Sequence, residues 1–227
     1  MAMPRRSDGE LPNDGELPVA DTPGGSRDLA SAWDEKYAAA EQLWSGEPNR
    51  ALVDAATPLR AGRALDVGCG EGADAVWLAQ QGWDVTALDV SGVALDRAAH
   101  HARDAGVSVR WVHAGLMEAP LAAGTFDLVS AQYPVLLRTS RADAERSLLD
   151  AVAPEGVLIV VHHADFDPAH AKAQGFDPAD YVAPSDVALL LDNNWQIDVN
   201  ETRPRNVTTG GGAHHIQDVV LVARRLR

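Results

Sequence analysis

The chain has one cysteine and few positive charges: 19 lysines and arginines stand against 33 acidic residues among 227, a formal net charge of −14. Cys69 alone cannot close an internal disulfide, so a core rather than cross-links must hold the fold, and a cytoplasmic setting is expected. A protein that neutralises many phosphates needs a basic stripe, and with only two lysines, Lys36 and Lys172, nucleic acid is not expected as a partner. No uninterrupted apolar run approaches the roughly 18 residues of a membrane-spanning helix, so no membrane association is expected. Arg5-Arg6 would suit a twin-arginine export signal, but Ser7 to Pro18 is acidic and broken by proline where such a signal is apolar.

What is present divides the chain unevenly. Residues 1–27 are rich in Pro, Gly, Asp and Glu without apolar periodicity, Gly-Glu-Leu-Pro recurs at Gly9 and Gly15, and the segment reads as a disordered leader. Residues 28–227 read as one domain. Within it, Asp28 to Leu59 has a helical pattern, with Leu29, Trp33, Tyr37, Leu43, Trp44, Leu52 and Val53 as apolar positions, so residues 28–60 are expected to form capping helices.

The most informative stretch is Ala64-Leu-Asp-Val-Gly-Cys-Gly-Glu-Gly72, followed by the helix-like Ala73 to Ala79 and then by Asp84-Val-Thr-Ala-Leu-Asp89. Strand, tight turn and helix follow one another. Glycines at alternate positions let a ligand approach the backbone, and the following helix offers unpaired N–H donors. Asp89, at the end of the next strand, is placed to take both hydroxyls of a ribose.

Gly68, Gly70 and Ala73 also satisfy the dinucleotide fingerprint, so an NAD(P)-dependent oxidoreductase is the alternative. Asp66 separates the two readings. A carboxylate two residues before the first glycine would repel a pyrophosphate, whereas it would attract the ammonium of S-adenosylmethionine.

These residues resemble the class I S-adenosylmethionine-dependent methyltransferases, with Leu65 to Gly72 as the first motif and Leu88-Asp-Val-Ser91 as the second. Phe126-Asp-Leu-Val-Ser-Ala-Gln132 resembles the family's fourth strand, and Leu148 to Val161 its helix, turn and fifth strand. Trp33-Asp-Glu-Lys-Tyr37, Trp44 and Glu47-Pro-Asn49 are similar to the small-molecule branch that includes tellurite-resistance and thiopurine-type enzymes. The resemblance implies a Rossmann-like α/β fold, a seven-stranded, mostly parallel sheet with an antiparallel last strand and helices on both faces. It implies S-adenosyl-L-methionine as cofactor and methyl transfer to a small acceptor carrying an S, O, N or chalcogen nucleophile.

The residues fit that plan. Strands are expected at Arg63 to Val67, Asp84 to Asp89, Val107 to Val112, Phe126 to Ala131 and Gly156 to His162. The unbroken apolar run Val157 to Val161 is expected to be central. A helix begins at Pro184-Ser-Asp-Val-Ala-Leu-Leu-Leu191 with Ser185 as its N-cap. Trp195 to Arg203 and Ile216 to Arg225, joined by the glycine-rich Asn206 to Gly212, are expected to pair antiparallel.

Asp66, Gly68, Cys69, Gly70, Gly72, Asp89, Val90, Leu116, Met117 and Gln132 are the candidate cofactor residues. The family's acid for the adenine amine would fall at Gly115, which has no side chain, leaving Glu118 as a remote substitute. Tyr37, Trp44 and Tyr133 are candidates for the acceptor pocket, although Tyr37 and Trp44 also suit plain packing. His162, His163 and Tyr133 are the catalytic candidates, since a phenol or alcohol acceptor needs a base and a histidine titrates near neutrality. Adjacent strand residues face opposite sides, so only one of His162 and His163 can point directly at a given pocket. The doublets His162-His163 and His214-His215 lack metal-site spacing, and no metal is expected. A cofactor-binding regulatory module without catalysis is a third reading, because no base is unambiguous.

Overall fold

Alternation along the strands decides which side chains meet which layer. The computed structural model of the chain describes residues 26–165 and 177–227. Seven strands form one sheet: β1 (Arg63–Val67), β2 (Asp84–Asp89), β3 (Arg110–His113), β4 (Phe126–Gln132), β5 (Val152–His163), β6 (Trp195–Pro204) and β7 (Gln217–Arg225). Their order is β3-β2-β1-β4-β5-β7-β6. The first five pair in parallel, and β7 runs antiparallel to both β5 and β6. The order reverses between β1 and β4, which opens a crevice at their carboxyl ends.

Among the described residues six α-helices accompany the sheet: α1 (Ser26–Ala38), α2 (Arg50–Ala56), α3 (Ala73–Gln80), α4 (Gly92–Asp104), α5 (Asp143–Ala151) and α6 (Pro184–Ala188). One sheet face packs Leu65, Val67, Val129, Ala131, Leu158 and Val160 with Leu148 of α5 and Val187 of α6. The other packs Ala64, Leu128, Val157, Ile159 and Val161 with Leu52 of α2 and with Ala75 and Leu78 of α3. A buried leucine such as Leu78 or Leu148, both fully enclosed, contributes about 2–5 kcal/mol as read by truncation to alanine.

Several boundaries differ from expectation, each for a local reason. The capping region is two helices with a non-helical segment, residues 39–49, between them. Its backbone N–H groups at Leu43, Trp44 and Asn49 bond the side chains of Glu71 and Asp74, so they cannot also serve a helix. Strand β3 starts three residues late because the Val107 N–H closes the end of α4 on the Ala102 carbonyl. Strand β5 begins earlier, at Val152, opposite Phe126. Helix α6 is shorter than expected and is not capped by Ser185. Ala183 is the N-cap residue, Pro184 opens the helix, and the Asp186 carboxylate accepts the Ala183 N–H at 2.8 Å. Residues 1–25 of the expected leader lie outside the described residues, and Ser26 and Arg27 already belong to α1. Among the described residues no helix is long and apolar enough to cross a membrane.

Candidate active site

The turn between β1 and α3 carries three glycines with positive φ, at 70°, 51° and 84° for Gly68, Gly70 and Gly72. Two of them also have no room for a side chain. A Cβ on Gly70 would lie 2.8 Å from the Tyr37 hydroxyl, and one on Gly72 would lie 2.7 Å from the Ala98 methyl. The turn is stitched to β2 by the Gly68 and Cys69 N–H groups, which both donate to the Leu88 carbonyl at 2.9 and 3.0 Å.

Three buried carboxylates surround this turn. Asp66 is 2 % exposed; the Ala75 N–H donates to it, yet its Oδ2 has no partner. Asp89 accepts the Gly70 N–H at 2.8 Å through Oδ2 and the Ser91 N–H at 2.9 Å through Oδ1. Each of its oxygens retains a lone pair for a further donor. Asp74 takes the backbone and side-chain N–H groups of Asn49 at 2.6 and 2.8 Å. Burial, then the charges of Asp74 and Asp89, raises the Asp66 carboxyl well above its ordinary range, and burial raises Asp74 and Asp89 too. Such a site selects for positive charge and against phosphate.

Asp66 has company across the sheet. It lies opposite Ser130, whose hydroxyl accepts the side-chain N–H of Gln132 at 3.0 Å, leaving Gln132 Oε1 buried and unpartnered. Pairing and alternation place Asp66, Ser130 and Gln132 on one face, so two orphaned acceptors stand at the crevice between β1 and β4. An ammonium supplies the donors they lack. The residues present therefore fit S-adenosylmethionine and oppose a pyrophosphate cofactor.

The capping segment is fastened to the same turn. Glu71, 4 % exposed, accepts the N–H groups of Leu43 and Trp44 and pairs with Arg97 at 2.8 Å. Trp44 Nε1 donates to the Tyr37 hydroxyl at 2.8 Å, and Trp33 packs on both rings. Tyr37 is thus buried over the glycine turn. Trp44 lies there too, with its far side against Gly211.

At the carboxyl ends of β4 and β5 a second polar cluster forms. Pairing puts His163 opposite Asp218 on β7, and His163 Nδ1 lies 3.2 Å from Asp218 Oδ1. Tyr133, at φ 51°, donates its hydroxyl proton to Asp218 Oδ2 at 2.8 Å and accepts from Arg205 Nε at 3.1 Å. The Tyr133, His163 and His215 rings stack, with centroids 4.2 and 3.9 Å apart, and His215 Nδ1 meets Asp165 at 3.0 Å. Burial and the neighbouring Asp218 raise the Tyr133 phenol, and burial lowers His163. His162 faces the opposite way and is held down to about 4 by burial and by His163.

The remaining candidates sit between these clusters and β3. Val90 packs with the α1 aromatic group. Leu116 turns its side chain into the core, and Met117 is half exposed with its sulfur accepting from Ser147 at 3.4 Å. Among the described residues no group of His, Cys, Asp or Glu is arranged to hold a metal ion.

Residues 64–156, from β1 into the start of β5, match the methyltransferase-domain family. Over that segment, about two fifths of its length, the chain is similar to methyltransferases. The chain is 39 % identical over 122 residues to an uncharacterised methyltransferase of Mycobacterium bovis, an alignment covering 53 % of the chain and 61 % of the relative. It thus spans about three fifths of the length of that curated relative. Among solved structures, the N-methyltransferase NodS of Bradyrhizobium japonicum, in complex with S-adenosyl-L-homocysteine, superposes with a TM-score of 0.63 at 19 % identity. That match covers 85 % of the chain and 96 % of NodS. The [4+2]-cyclase SpnF superposes with a TM-score of 0.60 at 18 % identity, over 92 % of the chain and 98 % of SpnF. The fold alone does not fix the reaction, so the activity has to be argued from the site.

Proposed function

We propose that this protein transfers a methyl group from S-adenosylmethionine to a small-molecule acceptor. The observation that carries the reading is the pair of buried, unpartnered acceptors, Asp66 Oδ2 and Gln132 Oε1, beside a glycine turn ringed by carboxylates. Gly68, Cys69, Gly70 and Gly72 would line the nucleoside, Asp89 would hold its ribose, and Asp66 with Gln132 would hold the methionine amine. Val90, Leu116 and Met117 would border the base. When bound, the sulfonium supplies an activated methyl group for in-line displacement.

The chain's own residues then have to align an acceptor and keep water out. Tyr37 and Trp44 close the glycine turn from above, with Trp44 also wedged against the β6–β7 link. The acceptor would enter beside β4 and β5, against the face of Tyr133 and His163. There Asp218 fixes the ring of His163, so His163 is the favoured proton acceptor when the substrate is a phenol or alcohol. The Tyr133 hydroxyl is already engaged on both sides, and its raised pKa keeps it protonated, which suits a wall and a brace rather than a base. His162, lowered to about 4 on the other face, is the weaker candidate. A net charge of −14 favours a small acceptor over nucleic acid, in line with the small-molecule branch suggested by the Trp33 to Asn49 signature.

Incubation with S-adenosylmethionine and a panel of thiols, phenols, N-heterocycles, selenite and tellurite, followed by detection of S-adenosylhomocysteine, tests the reading. Acceptor-dependent product from at least one class is expected. Product from none would leave a cofactor-binding module and contradict the enzymatic assignment.

A further inference from the structure

A ring of contacts closes around the crevice at the carboxyl ends of the strands. From the glycine turn it passes to Trp44, whose indole lies 3.3 Å from the point where a Cβ on Gly70 would stand and 2.8 Å from the same point on Gly211. The Gly211 N–H donates to the Leu43 carbonyl at 2.8 Å, and a Cβ on Gly212 would stand 3.4 Å from His163 Nε2. His163 stacks on Tyr133, and the next residue, Pro134, returns to within 4.0 Å of a Cβ position on Gly68. An acceptor that reaches the crevice meets the charges on this ring.

Its arginines are already spent. Arg97 gives one nitrogen to Glu71 and the other to the Tyr37 and Ala40 carbonyls. Arg205 donates to the Tyr133 hydroxyl and the Gly212 carbonyl and lies 3.7 Å from Asp218. Burial lowers His163, and burial, then His163 and His214, lowers His215 to about 4, so both rings are uncharged at neutral pH. Asp165 has no such counter-charge. It stands just past β5, two residues beyond His163, and is 24 % exposed. Among the described residues its partners are neutral, the His215 ring at 3.0 Å and the Ile216 N–H at 2.8 Å. Burial raises its carboxyl, but the bonds from Ile216 and His215 outweigh burial and hold it below its ordinary range, so it is ionised at neutral pH. A carboxylate without a counter-charge at the mouth of a cleft attracts cations and repels anions.

Resting on the methyl-transfer reading above, we propose that the acceptor carries a protonated amine at the end remote from its nucleophile, and that Asp165 selects for it. The stacked rings set the spacing. Tyr133, beside the glycine turn, and His215, bonded to Asp165, stand on either side of His163 with centroids 4.2 and 3.9 Å away. An acceptor spanning that stack keeps its ammonium clear of the sulfonium while its nucleophile reaches the methyl carbon. A carboxylate in the same place, or an oxyanion such as selenite or tellurite, meets an uncompensated negative charge instead.

Initial rates with S-adenosylmethionine test this on the full chain, using series in which one nucleophile carries a remote ammonium, hydroxyl or carboxylate. The phenols are tyramine, tyrosol and hydroxyphenylacetate; the thiols are cysteamine, mercaptoethanol and mercaptoacetate; the imidazoles are histamine, imidazole ethanol and imidazole acetate. In whichever series turns over, kcat/KM in the wild type is expected to be at least roughly 10-fold higher for the ammonium member than for the carboxylate member. That gap should shrink as salt is raised, a check that needs no variant. Asp165→Asn, which keeps an oxygen for the Ile216 N–H, should narrow it several-fold. A merely structural role would lower all three members of a series together. A preference for the carboxylate member, no preference, or a gap that salt or Asp165→Asn leaves unchanged would overturn the assignment of Asp165 while leaving methyl transfer intact. Turnover of no member would contradict methyl transfer itself, and this selectivity with it.

Discussion

Asp218 accepts the Tyr133 hydroxyl proton at 2.8 Å, joining two residues 85 positions apart at the carboxyl edge of the sheet. The same carboxylate meets His163, and Arg205 donates to the Tyr133 oxygen, so the phenol is a junction rather than an end point. Tyr133→Phe removes both bonds and leaves buried charged groups short of a partner. A loss of about 1–3 kcal/mol in urea unfolding is expected, with S-adenosylhomocysteine affinity changed less than threefold (~0.6 kcal/mol). Unchanged stability would mean that the junction carries no net energy.

Glu71 holds the middle of the capping segment, as Asp74 holds its end at Asn49. Glu71→Ala removes the carboxylate partner of Arg97, which keeps its bonds to the Tyr37 and Ala40 carbonyls, and frees the N–H groups of Leu43 and Trp44. Removing one partner of a buried ion pair costs about 3–5 kcal/mol, and here the loss should be local to residues 39–49. Limited proteolysis is expected to cut that segment in the variant well before it cuts the wild type. Equal protection would show that Asp74, Arg97 and the aromatic contacts of Trp33, Tyr37 and Trp44 hold the cap without Glu71.

Gly72→Ala places a methyl against Ala98 at a positive φ, where both the contact and the backbone oppose it. A destabilisation of about 1–3 kcal/mol is expected from overpacking and from the left-handed conformation. A thermal melt indistinguishable from wild type would contradict this.

The strand positions along the chain, the glycine turn and the acid that ends β2 were legible in the sequence because each depends on local chemistry: apolar alternation, positive φ, and an acid at a fixed distance. Ser185 was misread as a cap because Pro184 opens the helix itself and Asp186 caps from inside it. The continuous helical pattern from Asp28 to Leu59 concealed a break, since the donors of Leu43 and Trp44 go to Glu71, 28 and 27 residues away. Asp218 and Arg205 were invisible for a similar reason. Only the antiparallel register of β5 and β7 sets Asp218 opposite His163, and no spacing along the chain announces it. The two histidine doublets with Asp165 nearby were the available signal, and weighed only for metal-site spacing they did not reveal the bond between His215 and Asp165.

The buried acids also set a pH dependence. Asp66 has a native pKa raised well above 3.8, so its contribution to stability is complete below pH 3.8 and is lost as pH rises through the native value. Asp66→Asn removes that loss, and the variant should gain on wild type progressively as pH rises from about 4 toward neutrality. Each 1 kcal/mol of relief corresponds to about 2–4 °C in a chain of this size. His162 and His215, lowered from 6.5 to about 4, act in the opposite sense in both proteins. Their contribution is complete above pH 6.5 and lost as pH falls through about 4, so it cancels in the comparison. A gap between variant and wild type that does not vary with pH would contradict the account of Asp66.

The central claim is that the unpartnered oxygen of Asp66 awaits the ammonium of a sulfonium nucleoside. Calorimetry with S-adenosylhomocysteine and with 5′-methylthioadenosine, which lacks the amino-acid end, isolates that contact on wild type and on Asp66→Asn. The account requires wild type to bind S-adenosylhomocysteine at least roughly 10-fold more tightly than the truncated compound, a charged hydrogen bond's worth, with Asp66→Asn losing most of that difference. Equal affinities for the two compounds in wild type, or a difference untouched by the substitution, would contradict it.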